Sequence, residues 1–343
     1  MKKNLFIAAA ACVALAACTK NEVKPVEVEQ EITYQTIDTK AASSFSTSNA
    51  FYSWAYLLAS DKTWNTDYAD ASSYISEALI GYDSSINGWK ATTAYYWPKK
   101  AKLTFFAWSD NTSSPVVTSP ATVACTKDGG IKFDNFDTSV EADKNKDLLV
   151  AKIADNQTSN TTNSGTWNKG VPTVFYHVLS AMEVSAKTNV DYGSTKFKVK
   201  SVVFSDMLSK GTYTQTYDAT KTPIESSWVT VSDKHTFDVY APASLGSDLN
   251  HSDFTNLSAS NGEYSIFMPQ TLPADAKVTV TYQVTYGTTN ITDEVSVVKN
   301  LKDIFTEWKP GYKYTLKITI GLDEILWDPA IEEWTPGSGE VTI

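Results

Sequence analysis

The chain contains no arginine: all 29 of its basic residues are lysine, against 39 acidic residues, for a formal net charge of −10. An acidic chain without a basic stripe cannot neutralise phosphates, so nucleic acid is excluded as a partner. Histidine is equally sparse. His177, His235 and His251 share no metal-ligand spacing, and Cys125 has no second cysteine two or three residues away. No phosphate-cradling glycine loop, dinucleotide fingerprint or nucleophile elbow is present. The expectation is a protein that is not an enzyme and holds no cofactor or metal. Of three cysteines, Cys12 and Cys18 fall near the N-terminus, which leaves Cys125 alone in the body and no intrachain disulfide. Such a fold depends on its apolar core and its strand ladders.

Aromatic and β-branched residues are abundant, with 10 Trp, 18 Tyr and 14 Phe and 42 % hydrophobic residues overall. That composition favours strands over helices. Lys277 to Tyr286 sets Val278, Val280, Tyr282, Val284 and Tyr286 on one face against Thr279, Thr281, Gln283 and Thr285 on the other. Tyr312 to Ile320 alternates in the same way. These are strands with one buried and one wet face. Phe51 to Leu58, Lys102 to Ser109 and Asp147 to Ile153 are further strand candidates. Leu301, Ile304, Phe305 and Trp308 have helical spacing, ended by Pro310-Gly311, and read as two turns of helix or a packed loop. Residues 154–170 are rich in Asp, Asn, Ser and Thr and read as a surface loop. Many short strands and little helix predict an all-β protein of two tandem β-sandwiches, one over 41–170 and one over 171–343.

The N-terminus carries addressing information. Lys2 and Lys3 precede an apolar run from Leu5 to Leu15, then Ala16, Ala17 and Cys18. Residues 1–18 read as a secretory signal, too short to span a bilayer. Small residues directly before Cys18 fit a lipobox, which makes Cys18 the expected acylation site and membrane anchor. Residues 19–40 follow as a tether in which Val26, Val28, Ile32 and Tyr34 alternate with Glu27, Glu29, Glu31 and Thr33, a strand with an acidic outer face.

Two other clusters carry side chains that could bind a ligand. Asp143, Asn145 and Asp147 open like a calcium loop, but Leu148 stands where glycine is needed and Ala154 where the bidentate glutamate belongs, so the run reads as a solvated turn. Tyr95-Tyr96-Trp97-Pro98 offers rings to a sugar, although packing is the commoner use of such residues. His177, inside the apolar run 174–179, reads as a satisfied strand histidine.

Taken in order, several motifs resemble the fimbrillin family, the type V pilins of Gram-negative gut and oral bacteria. They are Thr39-Lys40-Ala41, Tyr96-Trp97-Pro98 with 103–107, Asp147-Leu148-Leu149-Val150-Ala151, 177–184, Met268-Pro269-Gln270, and Trp308-Lys309-Pro310-Gly311-Tyr312-Lys313-Tyr314, with Trp327 and Trp334 in the tail. The resemblance implies transthyretin-like β-sandwich domains and a route to assembly. The precursor reaches the outer membrane as a lipoprotein. A trypsin-like protease then removes the lipidated strand, and the groove it leaves accepts a C-terminal strand from another copy or a related pilin, building an extracellular fimbrium. On this reading the cut falls between Lys40 and Ala41, with lysine where the family more often has arginine. Val26, Val28 and Ile32 fill the groove beforehand, each contributing roughly 1.5–3 kcal/mol if fully buried. Residues 322–343 form the donor tail, with Ile325, Trp327, Ile331, Trp334, Val341 and Ile343 as anchors. Within the family, an anchor subunit keeps its lipid and a tip subunit lacks a usable tail. The reading from another class is a monomeric outer-membrane lipoprotein that binds glycans or host ligands.

Overall fold

A computed structural model describes residues 29–37, 45–118, 123–159, 170–230, 233–258, 264–289, 291–322 and 324–334. The described chain is all-β, with a single short α-helix at Trp64–Asp67 and a few 3-10 turns. Among the described residues no helix is long and apolar enough to cross a membrane.

The strongest alternation becomes the most regular sandwich. Lys277–Thr285 buries Val278, Val280, Tyr282 and Val284, leaves Lys277 exposed and holds the other alternate residues half-buried. It lies between Lys196–Leu208 and Thr292–Asn300 in a four-stranded sheet completed by Lys234–Tyr240. Facing it, Ser180–Thr188 runs parallel to Tyr312–Ile320, which pairs in turn with Ile325–Glu333 at the sheet edge. The apolar faces of both sheets meet in one core that includes Phe197, Phe204, Phe267, Leu316 and Ile318. The run from Leu301 to Trp308 is a packed loop rather than a helix. One 3-10 turn at Leu301–Asp303 precedes the two-residue strand Glu307–Trp308, and Leu301, Phe305 and Trp308 all point into that same core.

The N-terminal part is layered differently. Seven strands of an eight-stranded sheet close into a ring in the order Phe51–Ala59, Ser72–Asp83, Gly88–Ala91, Tyr34–Ile37, Val171–His177, Leu149–Ala151, Ala101–Ser109 and back to Phe51–Ala59. Ala154–Gln157 pairs outside this ring with Ala101–Ser109, so the stretch expected as loop begins with a strand. Ala101–Ser109 feeds two cores at once. Leu103, Phe105 and Ala107 face the inside of the ring with Phe51, Ile75 and Phe175. Phe106 and Trp108 face a second layer, where they meet Phe133 and Tyr213. That layer is a four-stranded sheet of Val123–Thr126, Gly130–Asp137, Lys210–Thr214 and Ser227–Thr230. Strands from 171–177 and from 210–230 therefore sit with N-terminal partners, so the chain passes back into its first layers after residue 170.

The Ser72–Asp83 and Gly88–Ala91 hairpin carries a small acid-sensitive element. Asp83 accepts hydrogen bonds from the hydroxyl and amide of Ser85 and pairs with Lys90 at 2.9 Å. The Ser85 hydroxyl, then the Lys90 ammonium, holds this carboxyl down at about 2, from 3.8. A depressed folded value means that the contribution is complete above the unfolded value and is lost as pH falls from about 4 to about 2. A carboxyl-carbon NMR titration is expected to place the Asp83 midpoint near pH 2. A midpoint near 4 would show the turn contacts absent in solution.

Candidate assembly site

The N-terminal segment is built into the ring rather than laid across it. Its backbone first zips against 95–97: the Trp97 amide donates to Gln30 O (2.9 Å), the Ile32 amide to Tyr95 O (2.7 Å), and Glu31 bridges Tyr96. Tyr34–Ile37 then pairs in parallel with Val171–Val174 on one side and meets Trp89 antiparallel on the other. Period-2 geometry sends Ile32 and Tyr34 inward, where they are 2 % and 1 % exposed. The Tyr34 ring stands edge-on to Phe51 and Phe105. Burial pushes its phenol well above the ordinary tyrosine range. Of the expected leader anchors, Ile32 is in this core. Val26, Val28, Cys18, Lys40 and Ala41 lie outside the described residues.

Gly170 makes the insertion possible. Its φ is +130°, and an added Cβ would lie 2.4 Å from Thr33 O and 2.7 Å from Tyr34 N. The neighbouring Val171 amide donates to Thr33 O at 2.8 Å. Sequence reading missed this residue, because a glycine at the end of a polar run looks like any loop glycine.

At the other end, Ile325–Glu333 forms a hairpin with Tyr312–Ile320 over its full length. Ile325 and Trp327 lean on the sandwich core, whereas Leu326 and Ile331 are 52 % and 59 % exposed. Trp334 returns to the interior at 4 % exposure and stacks on His177 with ring centroids 3.6 Å apart. Val341 and Ile343 lie outside the described residues.

The calcium-like run is dispersed. Asp143 accepts the Thr118 amide and lies 3.2 Å from Lys146 Nζ. Asn145 adopts φ +57° and accepts the Ile266 amide. Asp147 turns to His177 Nδ1 at 2.8–3.0 Å. Three carboxyl or amide groups aimed at three different partners do not form a cage. Among the described residues no group of three or more His, Cys, Asp or Glu side chains is placed to hold a metal ion. Of the aromatic run, Trp97 packs edge-on to Phe105 and Tyr96 is 42 % exposed.

The described chain is all-β, with Tyr34–Ile37 as an internal strand of one sheet and Ile325–Glu333 as the edge strand of another. The chain belongs to the fimbrillin-like family, whose model matches residues 39–334. Among solved structures it resembles a fimbrial protein from Bacteroides vulgatus, with a TM-score of 0.65 at 22 % identity, covering 89 % of this chain and 100 % of that one. It also resembles a candidate cell adhesion protein from Bacteroides uniformis, with a TM-score of 0.51 at 15 % identity, covering 91 % and 100 %. No curated protein sequence matches.

Proposed function

We propose that this chain is a structural subunit of a surface fimbria that supports adhesion and polymerises by β-strand donation. In this reading Cys18 carries the lipid that brings the precursor to the outer membrane. A trypsin-like protease able to accept lysine cuts between Lys40 and Ala41. The segment before the cut leaves, and the C-terminal tail of another subunit takes its place. The observation that carries the reading is the position of Tyr34–Ile37, a strand paired along one flank with Val171–Val174 and through Tyr34 with Trp89 on the other, with Ile32 and Tyr34 buried in the ring core. Its loss would expose two unpaired backbone edges and an apolar slot lined by Phe51, Phe105 and Phe175. An open slot of that kind favours strand addition. Donation from tail to slot is a heterologous contact that does not close, so it propagates as a filament. Ile325, Trp327, Ile331, Trp334, Val341 and Ile343 are the proposed donor anchors, within 322–343.

Two measurements test this. Chain cut after Lys40 is expected to form ladders on a gel, and deletion of 322–343 is expected to abolish them. N-terminal sequencing of the surface form is expected to read from Ala41. A mature chain beginning at Cys18 would overturn the stalk role and favour a lipid-held anchor. A stable uncut monomer that binds glycans would favour the ligand-binding lipoprotein.

A further inference from the structure

The N-terminal segment and the C-terminal end of the described chain meet on one strand. At the start of Val171–His177, the Val171 amide donates to Thr33 O, and 171–174 pairs along its length with Tyr34–Ile37. At its finish, the His177 ring lies flat on the indole of Trp334, at an interplanar angle of 10°. Seven extended residues, about 20 Å, separate the two contacts.

The far contact is closely built. Asp147 grips His177 Nδ1 and fixes the plane of the ring. The Trp334 amide donates to Gly311 O at 2.7 Å, and the Gly311 amide donates to Leu179 O at 2.9 Å. Gly311, at φ +73°, fits so closely that a Cβ there would stand 3.2 Å from His177 O and 2.7 Å from Ile224 Cγ2. Tyr264 meets the indole edge-on. The approach to this seat is exposed: from Asp328 to Glu333 every residue faces solvent, and only Trp334 goes back inside. The strand is held by its ladder with Tyr312–Ile320 and, near its start, by Ile325 and Trp327 on the core; past Trp327 its one buried side-chain anchor is Trp334.

The other flank of Val171–His177 is short. Apart from the N-terminal strand, its ladder partners are Leu149–Ala151, opposite Phe175, Tyr176 and His177, with the Lys152 amide donating to Val174 O and the Val178 amide to Leu148 O at either end, so 171–173 have none. Without Tyr34–Ile37, residues 171–174 would become an edge with little ladder of their own, and the strand that orients His177 would loosen.

We propose that Trp334 on His177 is a latch, set by the N-terminal strand through Val171–His177, which holds the C-terminal end in its own subunit until that strand leaves. This rests on the reading that the N-terminal strand is removed and the C-terminal end donated, and it adds the order of events: the tail is released by the same loss that opens the slot. An uncut precursor then offers neither a slot nor a free tail. A coupling of this kind is reciprocal: whatever loosens one end must loosen the other by the same factor.

Amide exchange on the full-length uncut chain tests it. The Val171 and Trp334 amides report the two ends, and Val280, at the centre of the far sandwich, reports global stability. Ile32→Ala is expected to speed exchange at Trp334 by about tenfold or more, and Trp334→Ala to speed exchange at Val171 by a similar factor, with Val280 unchanged. Faster exchange at the mutated end alone overturns the latch. Should Trp334→Ala also loosen Val280, the milder Trp334→Leu decides: equal acceleration at Val171 and Val280 overturns the proposal, and acceleration at Val171 alone supports it. Because the uncut chain is measured, a failure here leaves the gel-ladder test of fibre formation standing, and a failure of that test leaves this coupling standing.

Discussion

Gly170→Ala is expected to drive the N-terminal strand out of the ring while leaving the far sandwich around Val280 intact. The new methyl would meet Thr33 O at 2.4 Å, Thr33 C at 2.5 Å and Tyr34 N at 2.7 Å, all backbone atoms that no rotamer change can move. Relief requires either a shift of the Val171–Thr33 pairing or departure of the strand. Left-handed strain alone costs a non-glycine residue roughly 1–2 kcal/mol, and overpacking adds about 1–3 kcal/mol. Gly193→Ala is the matched control, because Gly193 has φ +61° and nothing within 4 Å of an added Cβ. In urea unfolding the control is expected to lose only the strain, and Gly170→Ala about twice as much. The sharper readout is the Val171 amide, which should lose its protection in Gly170→Ala and keep it in Gly193→Ala. Equal behaviour of the two variants would mean that the strand does not press on Gly170 in solution.

Lys146→Met is expected to be the most damaging single change among the ion pairs. The ammonium lies 3.2 Å from Asp143 and 3.8 Å from Asp110, whose side chains are 0 % and 1 % exposed, and it also bonds Val116 O. Taking away the cation leaves two carboxylates buried side by side, and removing one partner of a buried pair typically costs about 3–5 kcal/mol. The damage should concentrate in 110–118, since Asp110 accepts the Thr112 and Val116 amides and Asp143 accepts that of Thr118. Adding Asp143→Asn to Lys146→Met should recover part of the loss in a denaturant titration. A cost for Lys146→Met below about 1 kcal/mol would show that water reaches the cluster.

Lys277–Thr285 and Tyr312–Ile320 were legible because each has one wet face, so polarity alternates with the pleat. Ala101–Ser109 was legible as a strand, but the meaning of its two apolar faces was not: nothing local says that Phe105 and Phe106 enter different cores. Ala154–Gln157 was hidden because all its side chains after the buried Ala154 are half-exposed and polar, and its membership of the sheet rests on backbone pairing with Leu103 and Phe105. The spacing from Leu301 to Trp308 mimicked a helix because all the buried residues face one core, though by way of a turn and a short strand.

At the candidate site, the alternation of Ile32 and Tyr34 was readable as a buried face. The parallel pairing of Tyr34–Ile37 with Val171–Val174 was not, since a ladder between segments so far apart in sequence leaves no local trace. Gly170 and Gly311 matter only through what approaches them, which is a property of the folded backbone. His177 read correctly as a satisfied strand residue, but its stacking partner lies at the other end of the chain.

The gap that Tyr34–Ile37 would vacate has two rails of unequal length, seven residues at Val171–His177 and four at Gly88–Ala91. A replacement strand would find most of its backbone partners on the longer rail and could zip along it from one end before the shorter one engaged. The departing strand runs parallel to that rail, and a newcomer tracing the same path would inherit its direction. Every joint in the resulting filament would then point the same way, giving the polymer a built-in polarity, with one end that only donates and one end that only accepts.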